Sequence, residues 1–290
     1  MIQYEGTLYR PPSEAHSLIV QATIGCSNNI CAFCSMYKEK KFRIRPIDEI
    51  IEDFRRARDF YSYIERIFIA DGDALIMSVE HWKRILGYIS EYFPECKRVT
   101  CYATPKSVLL KTEEQLKYLK EHGLEMVYMG LESGSDRVLE LMKKGNTSEM
   151  IIRAAKKLHS AGIKISVTAI NGLGGREYFM EHAVNTGKVL SKMKPEYIGL
   201  LTPMIEPYTP LYEKVKNKEF IPLNSEEILQ EIGIILQHCD CPGSVFRGNH
   251  ASNYLPLRGT LNEDKEMLLS QIEWALEGKI DLCPEWMRRL

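Results

Sequence analysis

Residues 26–34 have the sequence CSNNICAFC and place three cysteines, Cys26, Cys31 and Cys34, within nine positions directly after a predicted strand. Three thiolates at this spacing suit an iron–sulfur cluster, because soft sulfur ligands favour iron sulfide. Three protein ligands leave one iron open to a further molecule, much as a catalytic zinc keeps one position free. A zinc knuckle and incidental thiols are the alternative interpretations of the motif.

The composition is typical of a folded protein that does not bind nucleic acid through bulk charge. Of the 290 residues, 44% are hydrophobic and 27% are charged, which is enough to build a core. The 38 basic and 39 acidic side chains nearly cancel, so nucleic acid is not an expected partner. No apolar run is long enough to cross a bilayer, and the first residues lack the pattern of a signal peptide. We therefore expect a soluble, cytoplasmic protein without a membrane partner.

The cysteines outside the motif are scattered along the chain. Cys239, Cys241 and Cys283 raise the question of a second metal or cluster, but a C-x-C pair without a second pair nearby is a poor template for one. We expect these thiols to be structural or incidental.

A pattern of strand, loop and helix repeats along most of the chain. The six predicted strands are residues 17–24, 66–70, 97–103, 124–131, 163–170 and 197–202. Short apolar strands separated by helices indicate an α/β fold with a parallel sheet covered by helices. The pattern changes after Pro222, where two helical stretches, 225–238 and 262–277, flank a polar loop over residues 246–254.

The cysteine loop, the βα repeat and the motifs after later strands resemble those of the radical S-adenosylmethionine (radical SAM) superfamily, over about residues 15–215. Within it the chain is most similar to the branch of the anaerobic coproporphyrinogen oxidases, the Elp3-type proteins and the MiaB-like methylthiotransferases. The resemblance implies a partial (β/α)6 TIM-like barrel over residues 1–220, with residues 221–290 as a helical C-terminal extension on the substrate side. The chain departs from the usual C-x3-C-x2-C spacing, because it has C-x4-C-x2-C. Asn28 and Asn29 suit the resulting bulge, since Asn tolerates left-handed backbone angles.

The resemblance also implies the cofactors and the chemistry. Cys26, Cys31 and Cys34 are expected to hold a [4Fe–4S] cluster whose fourth iron binds the amino and carboxylate groups of S-adenosylmethionine. One electron then cleaves S-adenosylmethionine to a 5′-deoxyadenosyl radical, which abstracts a hydrogen from the substrate. The electron is expected from a one-electron reductant such as flavodoxin or ferredoxin. The protein holds the cofactors and keeps water away.

The first set of implied cofactor residues lies in the cysteine loop and after the second strand, where a barrel carries its ligand groups. Phe33 matches the aromatic residue that packs beside the adenine. Gly72 and Asp73 lie where the family has Gly-Gly-Glu-Pro, and Asp73 is expected to accept from the methionyl amine. Asp71 replaces the first glycine of that motif. A plain acidic turn is the alternative interpretation of residues 71–73.

The second set follows the later strands. Glu132, with Ser133 beside it, is expected to bind the ribose hydroxyls. Lys144 matches the basic residue that pairs with the methionyl carboxylate, although the adjacent Lys143 would fit with a shift of one residue and a solvated helix end would explain both.

The fifth and sixth strands are expected to form the adenine side of the site, through Thr168, Ile170 and Leu201. The Gly-rich turn over residues 171–175 matches the family as well. By itself such a turn is weak evidence, because it also serves ordinary strand-to-helix connections.

Two functions remain after the sequence is read. The first is a radical SAM enzyme with an unidentified substrate, whose reaction type the sequence does not specify. The second is a non-catalytic iron–sulfur or zinc protein that acts as a carrier or sensor. The loop over residues 247–254 is rich in donors and acceptors, and it is interpreted either as a specificity loop or as a capping turn.

Overall fold

The computed structural model describes residues 2–289, which form two compact units. The first unit contains the residues up to Asn29, Met36–Met129 and Lys156–Ile165. The second unit contains Ile30–Ser35, Gly130–Ala155 and the residues from Ser166 onward. The predicted boundary between residues 220 and 221 is a different division of the chain, and it stays a prediction.

Strands and helices alternate in the first unit. Its strands are β1 (Leu18–Gln21), β2 (Thr23–Ile24), β3 (Arg43–Ile44), β4 (Arg66–Ala70), β5 (Arg98–Ala103) and β6 (Leu124–Glu132), whose last residues belong to the second unit. Its helices are α1 (Ile47–Phe60), α2 (Val79–Tyr92), α3 (Pro105–Leu109) and α4 (Glu113–Glu121). β1, β4, β5 and β6 pair in parallel in that order, and β2 pairs antiparallel with β3.

The second unit continues the alternation and ends differently. Its elements are α5 (Asp136–Leu141), α6 (Ser148–Ser160), β7 (Lys164–Ile170), α7 (Phe179–Met193), β8 (Tyr197–Leu201), α8 (Pro210–Lys216), α9 (Ser225–Gln237), β9 (Ser244–Gly248), β10 (Leu257–Leu261) and α10 (Lys265–Leu276), with the end of α6 and the start of β7 in the first unit. β7, β8 and β9 pair in parallel, whereas β9 and β10 form an antiparallel pair.

Side-chain caps begin several of these helices. Ser78 accepts from an amide in the first turn of α2. Thr112 with Gln115, and Asn224 with Glu227, make capping boxes at α4 and α9. Each cap satisfies amides that the first helical turn would otherwise leave unpaired.

The predicted α/β class with parallel strands is confirmed, and the six predicted βα strands are present. The prediction of an unbroken polar loop over residues 246–254 is wrong, because Phe246, Arg247 and Gly248 lie on β9. β9 alternates buried and more exposed positions, as a strand with one covered face does, and it lacks the apolar run that marked the other strands. The C-terminal region therefore holds a strand pair as well as the predicted helices. Within residues 2–289, every helix is too short or too polar to span a membrane.

Candidate cofactor site

The cysteine loop crosses from one unit to the other, since Cys26 belongs to the first and Cys31 and Cys34 to the second. Cys31 is buried, and the other two thiols are partly exposed. Among residues 2–289, no three His, Cys, Asp or Glu side chains are gathered as ligands of one metal ion. The ligands of an iron–sulfur cluster bind different irons and need not meet at one point, so this absence does not test the cluster. Cys26, Cys31 and Cys34 therefore stay a predicted ligand set.

The second unit fixes the middle of this loop through its main chain. The amide of Ala32 donates to the carbonyl of Met142 at 2.9 Å, and Ala32 in turn accepts from the amide of Leu211 at 2.9 Å. Phe33 is half-buried and packs on an apolar cluster formed by Ala32, Val138, Met142, Leu173, Leu211 and Phe220. The aromatic ring that the sequence assigns to the adenine side is therefore anchored by ordinary core packing.

Gly72 brings the turn after β4 against the start of the cysteine loop. Its amide donates to the carbonyl of Gly25 at 3.1 Å, and the Cys26 thiol lies 3.9 Å from its carbonyl oxygen. A Cβ at this position would approach the Cys26 Cβ to 2.9 Å and the Tyr37 ring to 2.8 Å, both closer than real Cβ contacts. Only glycine allows this approach.

Asp73 is fully buried, and its carboxylate oxygens are satisfied by the protein. Oδ2 accepts from the hydroxyls of Ser27 at 2.5 Å and Thr104 at 3.0 Å, and Oδ1 accepts from the Thr104 amide at 3.2 Å. Burial raises the pKa of the Asp73 carboxyl, while hydrogen bonds from Ser27, Ser107 and Thr104 oppose that shift. Asp73 thus joins the cysteine loop to the end of β5, and its role toward a methionyl amine stays a prediction.

Glu132 and Lys144, which the sequence assigns to two different parts of the nucleoside, contact each other in the second unit. The Lys144 Nζ donates to the Glu132 Oε1 at 2.8 Å, and both side chains are largely buried. The Glu132 Oε2 is buried and has no hydrogen-bond partner within residues 2–289. Gly130 leaves the space for this pair, because a Cβ there would collide with the Glu132 carboxylate and the Lys144 ammonium.

The backbone at Glu132 has a φ of +60°, which is rare for a residue other than glycine. Such conformations cost about 1–3 kcal/mol and tend to occur at functional sites. The structure also separates the two adjacent lysines, since it is Lys144 whose ammonium reaches Glu132.

A buried histidine that the sequence analysis missed links the ends of β6 and β7. Ser133 Oγ lies 2.8 Å from His182 Nδ1, and His182 Nε2 lies 3.1 Å from the carbonyl oxygen of Ile170. Because a carbonyl only accepts, Nε2 carries the proton, and Ser133 donates to Nδ1. Burial lowers the pKa of His182 to about 4, so the ring is neutral at physiological pH.

Glu231 of α9 lies beside this histidine and is also buried. Its Oε2 accepts from the Gly172 amide at 2.5 Å and lies 3.7 Å from His182 Nε2. Burial raises the pKa of Glu231 to about 8, while the Gly172 amide opposes the shift. Glu231 Oε1 and both amide atoms of the adjacent Asn171 are buried without a partner in the described residues. The predicted glycine-rich turn is thus held from the C-terminal region.

The predicted adenine-side residues share one face of the parallel pair β7–β8. Thr168 and Ile170 are partly exposed and alternate with the buried Val167 and Ala169. Ile170 is opposite Leu201, which is also partly exposed. These three side chains therefore form a small, mainly apolar wall.

Asn253 fastens the polar loop of the C-terminal region to the end of β8. Its Oδ1 accepts from the Thr202 hydroxyl at 2.9 Å, and its Nδ2 donates to the carbonyls of Leu200 at 2.7 Å and Gly248 at 2.8 Å. Arg288, near the end of the chain, donates to the Pro203 carbonyl at 3.1 Å. These bonds favour the capping-turn interpretation of the loop.

Cys239 and Cys241 are buried together with their sulfurs 3.5 Å apart. Cys241 Sγ also lies 3.2 Å from the carbonyl oxygen of Leu190. Cys283 is partly exposed.

Comparison with known proteins agrees with this architecture. The family model of the Radical SAM superfamily matches residues 20–188. The heme chaperone HemW of Bacillus subtilis (strain 168) is 22% identical over 208 residues, which are 69% of this chain and 54% of HemW. The chain thus spans about half the length of that relative.

Two solved structures show the same fold. Coproporphyrinogen III oxidase (HemN) from Escherichia coli matches with a TM-score of 0.56 and 17% identity, over 77% of this chain and 52% of that one. The archaeal Elp3 of Methanocaldococcus infernus with an N-terminal deletion matches with a TM-score of 0.53 and 17% identity, over 91% of this chain and 63% of that one. The expected barrel-like fold is therefore confirmed.

The cofactors expected from the sequence are confirmed at the level of the family. Proteins of this superfamily use a [4Fe–4S] cluster and S-adenosylmethionine, and they take their electron from an external reductant. The family model covers more than half of the 290 residues. The chain therefore belongs to the radical S-adenosylmethionine superfamily.

Proposed function

We propose that this protein is an enzyme that cleaves S-adenosylmethionine reductively and uses the resulting radical to abstract hydrogen from a substrate. In this proposal Cys26, Cys31 and Cys34 hold the [4Fe–4S] cluster. The observation that carries it is the pair Glu132–Lys144, an acceptor and a cation together at the end of β6 with one carboxylate oxygen unsatisfied.

The residues present fit S-adenosylmethionine. A buried acceptor without a donor costs about 1–3 kcal/mol, and a ribose hydroxyl would satisfy the Glu132 Oε2. Lys144 offers its ammonium to a carboxylate, and Gly130 keeps the space beside both free of a side chain. When bound, the cluster and S-adenosylmethionine supply a 5′-deoxyadenosyl radical. The proposed function covers hydrogen abstraction and does not specify which group of the substrate is oxidised or modified.

The chain's own residues bind, orient and exclude water in this proposal. Glu132 accepts from the ribose, and Lys144 turns from Glu132 to the methionyl carboxylate. Thr168, Ile170 and Leu201 provide the wall against which the adenine packs, and Phe33 is assigned to its other side. Asp73 remains the assigned acceptor for the methionyl amine, and Ser133 keeps the strand end in place through His182.

The electron comes from outside the chain, and flavodoxin or ferredoxin is the proposed donor class. The substrate is a separate small molecule or macromolecule that this chain's residues do not identify. Relatives with methyltransferase and oxidase names fit either a transferase or an oxidoreductase.

Anaerobic reconstitution with iron and sulfide, followed by dithionite and S-adenosylmethionine, tests the proposal. We expect 5′-deoxyadenosine to be released. A reduced cluster that releases none would support a non-catalytic carrier or sensor, and tightly bound zinc in the isolated protein would support a zinc protein.

Substitution of the cysteines tests the ligand set in the same preparation. Cys31→Ala should abolish the brown cluster absorbance while the far-ultraviolet circular dichroism is kept, because a cluster needs all three thiolates. Cys239→Ala is the matched control and should leave the iron content near that of the parent. A full cluster in Cys31→Ala would show that the assigned ligands are wrong, and a large iron loss in the control would reveal a second cluster.

A further inference from the structure

One carboxylate oxygen in the first unit holds the chain on both sides of the cysteine motif. Asp71 is fully buried, and its Oδ2 accepts from the Gly25 amide at 3.0 Å and from the Lys40 Nζ at 2.9 Å. A third bond comes from Gln21 Nε2 at 2.9 Å. Gly25 immediately precedes the first cysteine, and Lys40 follows the last one by six residues. The two ends of the loop therefore share one acceptor.

Lys40 and Asn29 add a second set of bonds at the same place. Lys40 is 9% exposed, and its Nζ also donates to the Thr7 carbonyl at 2.7 Å. The Asn29 Nδ2 donates to the carbonyls of Tyr37 at 2.5 Å and Lys40 at 3.0 Å. Lys40 is thus held through its side chain by Asp71 and through its carbonyl by Asn29.

These residues coincide with the two positions at which the chain departs from the family pattern. Asp71 occupies the place of the first glycine in the motif after the second strand, and Asn29 lies in the stretch that carries the extra residue of C-x4-C. A longer loop has more conformations to lose when it is fixed. Hydrogen bonds across its base offset that loss.

We propose that Asp71, Lys40 and Asn29 act as one brace that fixes the base of the cysteine loop and thereby positions the cluster ligands. This inference rests on the proposed function, because it assumes that the cluster is on this loop. The three are positioning residues, since none of them is assigned to the cluster or to S-adenosylmethionine.

The two departures support each other in this arrangement. Glycine at position 71 would leave the buried Lys40 without its counter-charge, and breaking a buried pair from one side is strongly destabilising. Without Asn29, the carbonyls of Tyr37 and Lys40 would lose the donor that lies between them. A change in one member should therefore loosen the segments held by the others.

Hydrogen exchange of the metal-free protein tests the brace without relying on the cluster. Lys40→Met removes the ammonium and keeps the length of the side chain, and Asn29→Asp keeps the shape but replaces the donor. We expect the amides of residues 25–29 and 37–41 to exchange about tenfold faster in either variant, with the helices of the second unit unchanged. Lys41→Met is the matched control, because Lys41 is exposed and adjacent, and it should exchange like the parent.

Iron content and the electron paramagnetic resonance spectrum of the reduced cluster give the second readout. Lys40→Met should lose about half of the parent's iron or more, and the remaining signal should broaden. The double variant Lys40→Met/Asp71→Asn should recover part of that loss, because it removes both charges of the buried pair. If Lys40→Met does not fold, Asn29→Asp provides the same comparison without changing the buried charge pair.

The outcomes separate the brace from the proposed function. Exchange in Lys40→Met and Asn29→Asp that matches Lys41→Met would overturn the brace, whatever the cluster does. Faster exchange with parental iron content and spectrum would overturn its positioning role. A parent chain that holds no cluster would instead overturn the proposed function, and the exchange contrast would still decide whether the brace exists.

Discussion

Asp73 of the first unit and Glu132 of the second differ in how far the protein itself satisfies their carboxylates. Both oxygens of Asp73 accept from hydroxyls or an amide, whereas Asp71 accepts its three bonds through Oδ2 and has a buried Oδ1 without a partner in the described residues. Glu132 has one oxygen on Lys144 and one buried oxygen without a partner. Burial alone therefore does not set the role of an acid: Asp73, with both oxygens satisfied, holds the chain in place, whereas Glu132 keeps one oxygen that a ligand would satisfy under the proposed function.

The largest effect is expected at Asp73. Asp73→Ala leaves the hydroxyls of Ser27 and Thr104 without their acceptor and removes one of the two acceptors of the Thr104 amide, so we expect a loss of about 3 kcal/mol in the free energy of unfolding. Urea denaturation of the metal-free protein measures this. Asp59→Ala is the control, since Asp59 is exposed, and it should stay within about 0.5 kcal/mol of the parent. An Asp73→Ala variant as stable as the control would show that Asp73 is not a scaffold.

Glu231 sharpens the comparison, because it is a buried carboxyl with a pKa raised to about 8 rather than a satisfied carboxylate. The folded protein keeps the proton that the unfolded chain releases, so this contribution to stability is lost as the pH rises toward 8. His182, whose pKa is lowered to about 4, has the opposite effect, because it makes the stability increase with pH. This effect is confined to the pH range below its usual pKa of 6.5. Between pH 4.5 and 6.5 the opposite effects of Glu231 and His182 on the free energy of unfolding nearly cancel. Above pH 6.5 only the effect of Glu231 remains.

We therefore expect the free energy of unfolding to fall by about 2 kcal/mol from pH 6.5 to pH 8. Urea denaturation at the two pH values measures the fall. Glu231→Gln should reduce it strongly, because the amide does not titrate and still accepts from the Gly172 amide. An equal fall in the variant would assign the pH dependence to other groups.

The most specific effect on binding is expected at Glu132. Glu132→Ala should weaken S-adenosylmethionine binding at least about tenfold, because charge-assisted bonds to hydroxyls contribute about 1.5–3 kcal/mol each. Calorimetric titration of the reconstituted protein gives the affinity, and a melting curve of the metal-free form gives the stability. A lowered melting temperature with unchanged affinity would place Glu132 among the scaffold acids, with Glu149→Ala as the exposed control.

The sequence predicts most of the fold because its parallel strands are buried on both faces and appear as apolar runs. β4 was predicted with its observed bounds, Arg66–Ala70, for that reason. β9 and β10 were missed, since Arg247 and Gly259 interrupt any such run. An antiparallel pair at the end of a parallel series carries a weaker pattern.

The candidate site could be predicted only in part. Motif order assigned roles to Glu132 and Lys144, but that their side chains contact each other depends on the strained turn at Glu132 and the gap at Gly130. His182 gave no signal, because a histidine on an apolar helix face is usually an ordinary core residue. Lys40 is one of three lysines within residues 38–41, and only its burial beside Asp71 distinguishes it.

The contact between Lys144 and Glu132 makes the two halves of a nucleoside ligand depend on each other. Under the proposed function, a ligand that offers only ribose hydroxyls must share Glu132 with Lys144. A ligand that offers only a carboxylate must draw Lys144 away from Glu132, whose own carboxylate is then left without that partner. We then expect the binding free energies of methylthioadenosine and methionine, added together, to fall short of that of S-adenosylmethionine. The shortfall should exceed what is explained by joining the two fragments in one molecule. Under the proposed function, the pair acts as an internal competitor that disfavours fragments of S-adenosylmethionine.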